Sequence, residues 1–228
     1  LGIHRSEASR RRKTLLVVSL ASNIGLLGIF KYLGFFVESF RELAGIFGFD
    51  ASSGTWEIIL PVGISFYTFQ TLSYTIDIFR RKLEPTRNLA DYLAFVSFFP
   101  QLVAGPIERA SRLLPQFQAE RHFSWDNLWE GIPRILWGFF KKIVVADSLA
   151  LVVQASYSNP TLASGPELMM ATFFFAFQIY ADFSAYSDIA IGTARLFDIR
   201  LMQNFAYPYF SQSVREFWQR WHISLSTW

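Results

Sequence analysis

The sequence contains no cysteine and little charge. Zero cysteines among 228 residues exclude disulfide scaffolds, thiolate metal sites and cysteine nucleophiles. Lys, Arg, Asp and Glu make up 17% of the chain, whereas a soluble domain carries about 25%. Hydrophobic residues instead reach 52% and aromatic residues 18%. This composition argues against a disordered or nucleic-acid-binding chain and favours contact with lipid.

Several common catalytic motifs are also missing. The chain has no GxxxxGK[ST] phosphate loop, no HExxH, no GxSxG and no His/carboxylate cluster at metal-ligand spacing. The sequence therefore does not indicate a nucleotide hydrolase, a zinc protease or a serine hydrolase. We expect no bound metal and no resident cofactor.

Four apolar runs come close to the length of about 20 residues that a membrane helix needs. They cover residues 14–37, 58–79, 132–153 and 168–197. Four buried helices of a soluble protein are the alternative, but such helices show a polar stripe at period 3.6, and the first two runs show almost none. Lys141 and Lys142, near a span end, are expected to reach the headgroups. We predict an all-α polytopic membrane protein with one membrane domain over residues 1–228.

Two further segments are apolar without being predicted spans. Residues 92–107 (YLAFVSFFPQLVAGPI) are short and contain Pro100, Gly105 and Pro106. Irregular backbone is tolerated at membrane depth only inside protein or beside a hydrated cavity, so we predict a re-entrant segment that forms a cavity wall. Residues 213–228 are rich in Trp and Arg, which predicts an amphipathic interfacial helix.

The basic residues in the loops indicate an orientation. Five of them precede the first span, one, Arg41, lies in residues 38–57, and none lies in residues 154–166. Because Lys and Arg accumulate on the cytoplasmic side, we predict a cytoplasmic N-terminus, with residues 38–57 and 154–166 facing outward.

The fourth span is polar on two sides. At 100° per residue, one side carries Gln178, Asp182 and Tyr186, and the other carries Tyr180, Ser184, Ser187 and Asp188. A charge inside a span costs about 3 kcal/mol or more, so these side chains are expected to line a hydrated cavity. The alternative is that they only join helices through hydrogen bonds.

His222 is the one histidine that the pattern singles out. Its imidazole has an ordinary pKa near neutrality and could exchange a proton during a reaction. Placed among tryptophans, it could equally anchor the segment by donating a hydrogen bond. His4 and His122 lie in charged loops and are expected to be solvated.

Four runs of the sequence resemble a known family. They are PVGISFYTFQTLSYTIDIFRRKLEP, FVSFFPQLVAGPIERASRLLPQF, FFFAFQIYADFSAYSDIAIGTARLFDI and NFAYPYFSQSVREFWQRWHISLSTW. In order and spacing they are similar to the membrane-bound O-acyltransferase (MBOAT) family. Within it, the branch that O-acetylates bacterial exopolysaccharides such as alginate is nearest, and D-alanyl transferases of teichoic acid are more distant.

The resemblance implies a function as well as a fold. It implies a multi-pass protein of the bacterial inner membrane, with helices around a funnel and membrane lipids around the helices. An acyl group would pass from a cytoplasmic thioester, such as acetyl-CoA or a carrier-bound acyl group, to a polysaccharide hydroxyl outside. Extracytoplasmic acetylation proteins would be its partners, and no nucleic acid is involved.

The resemblance also implies roles for individual residues. His222 matches the first of two characteristic histidines, in the motif WHxSL, and is the expected catalytic residue of this chain. The second, in an LWHG-like motif, has no counterpart among the 228 residues, so we expect a piece of a longer protein that is inactive alone. The channel would be lined by span-four residues and by the turn at residues 101–106, namely Gln178, Tyr180, Asp182, Ser184, Tyr186, Asp188, Gln101 and Pro106.

Other functions remain open at this point. A D-alanyl or lipid-directed acyltransferase of the same family would share these motifs. A transporter or channel would explain the intramembrane carboxylates and the broken segment. No inverted internal repeat, which many transporters have, is recognisable in the sequence.

Overall fold

The computed structural model describes residues 2–5, 9–47, 61, 63–103 and 105–228, and all regular structure among them is helical. The α-helices are α1 (Gly2–Arg5), α2 (Ser9–Ile46), α3 (Ile64–Phe79), α4 (Leu89–Ser97), α5 (Ala110–Gln118), α6 (Trp125–Phe139), α7 (Asp147–Ser158), α8 (Gly165–Leu196), α9 (Val214–Arg220) and α10 (Ile223–Ser226). A π-helical segment, Phe140–Ala146, joins α6 to α7, and two short 3-10 turns cover Phe99–Gln101 and Pro208–Phe210. The predicted all-α class is confirmed.

The chain forms two compact units. The first comprises residues 1–97 with 109–111, and the second comprises residues 98–108 with 112–228. The candidate site described below lies within the second unit.

Polar side chains join α2 to α3 in the first unit. The bonds are Arg12 Nη2 to the Phe79 carbonyl (2.5 Å), Thr71 Oγ1 to Asn23 Oδ1 (2.7 Å), Ser19 Oγ with Thr75 Oγ1 (3.4 Å) and Lys31 Nζ to Ser65 Oγ (3.4 Å). Apolar contact gives little association between helices in lipid, and interhelical hydrogen bonds help to supply it. These bonds therefore set the register of the two apolar helices.

Two helices are long and apolar enough to cross a membrane, residues 10–46 of α2 and the whole of α8. α8 agrees closely with the predicted span at residues 168–197. α2 extends past the predicted span at residues 14–37 on both sides. Its 37 membrane-competent residues measure about 55 Å at 1.5 Å per residue, so they exceed a hydrocarbon core of about 30 Å.

The other two predicted spans differ from the observed helices. α3 begins only at Ile64, after Gly63 adopts a left-handed backbone (φ 78°), and it has 16 residues. Residues 58–60 and 62 of the predicted span lie outside the described residues, as do residues 48–57 of the predicted outward loop. The predicted span at residues 132–153 lies inside the continuous helical segment of α6, the π segment and α7. That these two regions cross the membrane stays a prediction.

The segment at residues 92–107 is broken, as its prolines suggest. α4 ends at Ser97, a 3-10 turn with Pro100 follows, and the chain then turns at Gly105. A Cβ at Gly105 would lie 2.4 Å from the Cα of Gln101, so only glycine fits this turn. Ala104 lies outside the described residues. Re-entry into a membrane stays a prediction.

The predicted continuous helix at residues 213–228 is wrong. α9 ends at Arg220, Trp221 is extended, and His222 is left-handed at φ 47°. The break arises because the Ile223 N–H donates to the Asn204 carbonyl (2.9 Å) instead of continuing the helix. A left-handed non-glycine residue costs about 1–2 kcal/mol, which the bonds to Asn204 offset. The predicted helix therefore does not run on past Arg220, and a separate short helix, α10, follows.

α6 and α8 approach closely along small residues. A Cβ at Gly131 would lie 2.8 Å from the Gly192 carbonyl oxygen, and one at Gly138 would lie 2.8 Å from the Ala185 carbonyl oxygen. Gly131 and Gly138 are two turns apart on α6, as are Ala185 and Gly192 on α8, so the helices run antiparallel along one seam. Small residues at such a seam let two backbones come together in a membrane.

Replacing Gly138 by Ala should destabilise this seam. The added methyl group would lie 2.6 Å from Ile189 Cγ1, and overpacking of this kind costs about 1–3 kcal/mol. Thermal unfolding in detergent should show a lower midpoint for Gly138→Ala. Gly28→Ala is the matched control, because nothing lies within 4 Å of its added Cβ, and its midpoint should stay unchanged or rise slightly. Equal midpoints for both variants would contradict the packing.

Candidate functional site

A cavity of about 550 Å³ lies beside the α6–α8 seam in the second unit. α6 and the π segment form one wall, α8 forms another, and residues 203–207 close a third side. The cavity is lined by Arg134, Trp137, Lys141, Tyr180, Ser184, Ser187, Asp188, Ile191, Gln203, Asn204, Phe205 and Tyr207. Its lining combines charged, hydroxyl and aromatic groups on largely helical walls.

The Asp188 carboxylate holds two cations at this cavity. Arg134 Nε lies 3.0 Å from Asp188 Oδ1, and Lys141 Nζ lies 2.6 Å from Asp188 Oδ2. Lys141 Nζ also donates to Ser184 Oγ at 2.9 Å. The side chains of Lys141 and Asp188 are only 14% and 18% exposed. Two cations around one carboxylate leave one positive charge in excess.

The local sequence explains why these charges meet. Arg134 follows Gly131 by three residues and Lys141 follows Gly138 by three, so both cations lie on the glycine face of α6 and its π-helical continuation. Because the two glycines have no side chain, α8 packs closely against α6, and the side chains of Arg134 and Lys141 reach Asp188. The π segment begins at Phe140, and such segments occur frequently at functional sites.

Asn204 connects the cavity wall to the segment that contains His222. Its buried side chain donates from Nδ2 to Ser187 Oγ (3.2 Å). Its Oδ1 accepts from the backbone N–H (3.2 Å) and the hydroxyl (2.8 Å) of Ser224. Together with the bond from Ile223 to its carbonyl, these contacts fix the left-handed turn at His222 against α8.

His222 lies behind the aromatic wall of the cavity. Its ring packs edge-on against Phe183 with centroids 4.7 Å apart, and Phe183 in turn contacts the cavity residue Phe205 at 5.0 Å. His222 Nε2 is buried without a hydrogen-bond partner among the described residues. Burial lowers the pKa of His222, so its imidazole is neutral at pH 7.

The structure separates the eight predicted channel residues into groups. Tyr180, Ser184 and Asp188 line the cavity together. Gln178, Asp182 and Tyr186, on the other predicted side of α8, do not line it, and Asp182 pairs with Lys142 at 2.9 Å while remaining half-exposed. Gln101 and Pro106 are buried but also lie away from the cavity lining. Their functional roles stay predictions.

Arg134, Lys141 and Asn204 were missed from the sequence. The interpretation of Lys141 as a headgroup-reaching lysine is wrong, because its ammonium group is buried against Asp188. Its spacing from Arg134 along the glycine face of α6 could have indicated the inward direction. Across the described part of the chain, no three His, Asp or Glu side chains are placed to hold a metal ion.

The helical fold and the charged cavity between apolar helices define an all-helical membrane protein with a buried polar site. The sequence model of the membrane-bound O-acyltransferase family matches residues 79–228. The chain belongs to this family, and the family resemblance noted from its motifs is confirmed.

Three curated relatives illustrate the similarity. The chain is 43% identical over 215 residues to a Pseudomonas putida protein named "Probable alginate O-acetylase AlgI". The aligned region covers 93% of this chain and 43% of the relative. The chain is 34% identical over 252 residues to the Helicobacter pylori peptidoglycan O-acetyltransferase (99% and 47%). It is 29% identical over 179 residues to the Bacillus subtilis teichoic acid D-alanyltransferase (75% and 44%). The chain thus spans less than half the length of each relative.

Replacing Asp188 by Asn should destabilise the protein strongly. Lys141 and Arg134 would then face each other without a counter-charge, and breaking a buried pair costs about 3 kcal/mol. Asp182→Asn is the matched control on the same helix, because its half-exposed carboxylate should contribute less than about 1 kcal/mol. Thermal unfolding in detergent compares the two, and equal losses would contradict the assignment of Asp188 as the centre of the cluster.

Proposed function

We propose that this chain provides part of an O-acyltransferase that O-acetylates an exopolysaccharide such as alginate. The acetyl group would come from a cytoplasmic thioester, acetyl-CoA or a carrier-bound acyl group, and cross the inner membrane through the helices. The observation that carries the proposal is the cavity with Lys141 and Arg134 held on Asp188. The names of the relatives, which act on alginate, peptidoglycan and teichoic acid, support an envelope polymer as acceptor.

The reaction requires groups that this cavity supplies in part. The acceptor hydroxyl oxygen forms a bond to the thioester carbonyl carbon, the C–S bond breaks, and the hydroxyl proton finally reaches the leaving thiolate. Negative charge develops on the carbonyl oxygen, and donors fixed in advance stabilise it. Lys141 and Arg134 are such donors, because Asp188 and Ser184 hold them in place.

His222 has a supporting role in this proposal. It lies behind Phe183 and outside the cavity lining, so we assign it to orienting the wall against which the donor lies. By the family resemblance, the residue that takes the hydroxyl proton or carries the acyl group is the second characteristic histidine. These 228 residues do not include it.

The orientation forms part of the same proposal. We place the N-terminus in the cytoplasm of a bacterial cell and residues 154–166 outside, where extracytoplasmic acetylation proteins and the polysaccharide would meet the enzyme. The distribution of Lys and Arg supports this arrangement. A reporter that is active only outside the cell, fused after Ser158, should be active. An inactive fusion would overturn the orientation.

Labelled acetyl transfer tests the activity itself. Membranes from cells that express the complete gene should move label from a thioester donor to polysaccharide. Label that ends in lipid would instead indicate a lipid-directed acyltransferase. Acetyl flux into liposomes without any transfer to a hydroxyl would indicate a transporter, and either result would contradict the proposal.

The half-buried His222 should make stability fall in acid. In the unfolded chain its imidazole binds a proton as the pH drops below about 6.5, whereas the folded protein, with a lowered pKa, binds it only at a lower pH. The unfolded state therefore gains protons first, and the free energy of unfolding decreases below pH 6.5. His222→Gln should unfold with a weaker pH dependence between pH 7.5 and 5.

His122→Gln is the control for this experiment, because the His122 side chain is 82% exposed. It should follow the wild-type protein at every pH. If His222→Gln also follows the wild type, a lowered pKa of the half-buried His222 is contradicted.

A further inference from the structure

A second cavity, of about 310 Å³, lies next to the first and shares Arg134 with it. Both cavities include Arg134 and Ile191 in their lining, so these two side chains form a shared wall. The second cavity is lined by Arg112, Glu130, Arg134, Ile191, Arg195, Ile199, Arg200 and Leu201. The lining contains four arginines and one glutamate. Asp188 and Glu108, which do not line this cavity, offset part of that positive charge.

Acidic side chains pair with three of these arginines, including Arg134 with Asp188 at 3.0 Å, but leave some of their guanidinium donors available. Arg195 Nε binds Glu130 Oε2 at 2.7 Å, and Arg112 Nε lies 3.8 Å from Glu108 Oε2, which is long for a hydrogen bond. The Arg200 side chain is exposed and has no partner among the residues that the structure describes. The cavity therefore presents guanidinium groups that remain able to bind an anion.

Arg195 supplies an independent sign of a missing acceptor. Its side chain is 12% exposed, and its Nη1 is buried with no hydrogen-bond partner in the described part of the chain. A buried donor without a partner is destabilising. A bound acceptor would remove that penalty, and the planar fork of donors on arginine fits the oxygens of a phosphate.

The backbone around the cavity is held in place. Gln116 on α5 brackets Arg200, because its Oε1 accepts from the Arg200 N–H (2.8 Å) and its Nε2 donates to the Arg200 carbonyl (3.1 Å). Glu108, fully buried, accepts from the Met202 N–H. These bonds fix residues 200–202 beside α5 and so place Arg200 at the same cavity as Arg195.

We propose that Arg112, Arg195 and Arg200 form a recognition site for a phosphate ester. The phosphate belongs either to a soluble thioester donor, in which case the inference rests on the proposed acyl transfer, or to an anionic lipid headgroup. In the proposed orientation this cavity lies at the cytoplasmic end of α8. A donor bound there by its phosphates would extend past Arg134 into the first cavity.

Binding measurements on two variants and a control test this site. Protein expressed from the complete gene would be placed in phosphatidylcholine nanodiscs and titrated with coenzyme A. A parallel set of nanodiscs would contain phosphatidylglycerol. After purification, the amount of phosphatidylglycerol that stays bound to the protein would be measured. The variants are Arg195→Gln and Arg200→Gln, and the control is Arg80→Gln, an exposed arginine outside both cavities.

Loss of coenzyme A affinity by about tenfold or more in the two variants, but not in the control, would support a soluble donor. Loss of retained phosphatidylglycerol in the same pattern would support a lipid headgroup. If both ligands bind the two variants as they bind the wild type, the site is overturned. Should Arg195→Gln fail to fold, Arg200→Gln decides, because its side chain is exposed.

The acetyl-transfer assay separates this inference from the proposed function. Arginine-dependent binding together with no acetylation of polysaccharide would leave the phosphate site standing and reject the proposed function. If the wild type acetylates polysaccharide but its ligand binding does not depend on these arginines, the proposed function stands and the phosphate site is rejected.

Discussion

The contact of Asp188 with Lys141 and Arg134 is the interaction on which the second unit depends. Charges between apolar helices are stable only when they are paired, and one carboxylate here serves two cations. The close approach of α6 and α8 at Gly131 and Gly138 makes this contact possible. Packing and charge therefore support each other, and the cavity is the space that remains beside their seam.

The same seam links the other features of the unit. Ser184 and Ser187, one turn apart on α8, bind Lys141 and Asn204 respectively. Through Asn204 the seam determines where α9 ends and how His222 is placed. Arg134 extends the charge to a second, more basic cavity. One helix pair thus organises a donor-rich cavity, a half-buried neutral imidazole and a candidate anion site.

The sequence predicted the helical class, the family and one correct face of α8, because helical periodicity places Tyr180, Ser184 and Asp188 together without knowledge of any neighbour. It did not predict their partners. Lys141 is 47 residues from Asp188 in the sequence, so the direction of its side chain depends on how the helices pack. The break at His222 depends on Asn204, a contact that the amphipathic pattern of residues 213–228 does not reveal.

A double-mutant cycle on acetyl transfer tests the central claim most directly, namely that Lys141 and Asp188 act as one unit at the site. Lys141→Met, Asp188→Asn and the double variant would be compared in protein expressed from the complete gene. Contacting residues that share one function give non-additive losses. Each single variant should lower the transfer rate by about tenfold or more, and the double variant should lose little beyond either. Small or simply additive losses would contradict the claim.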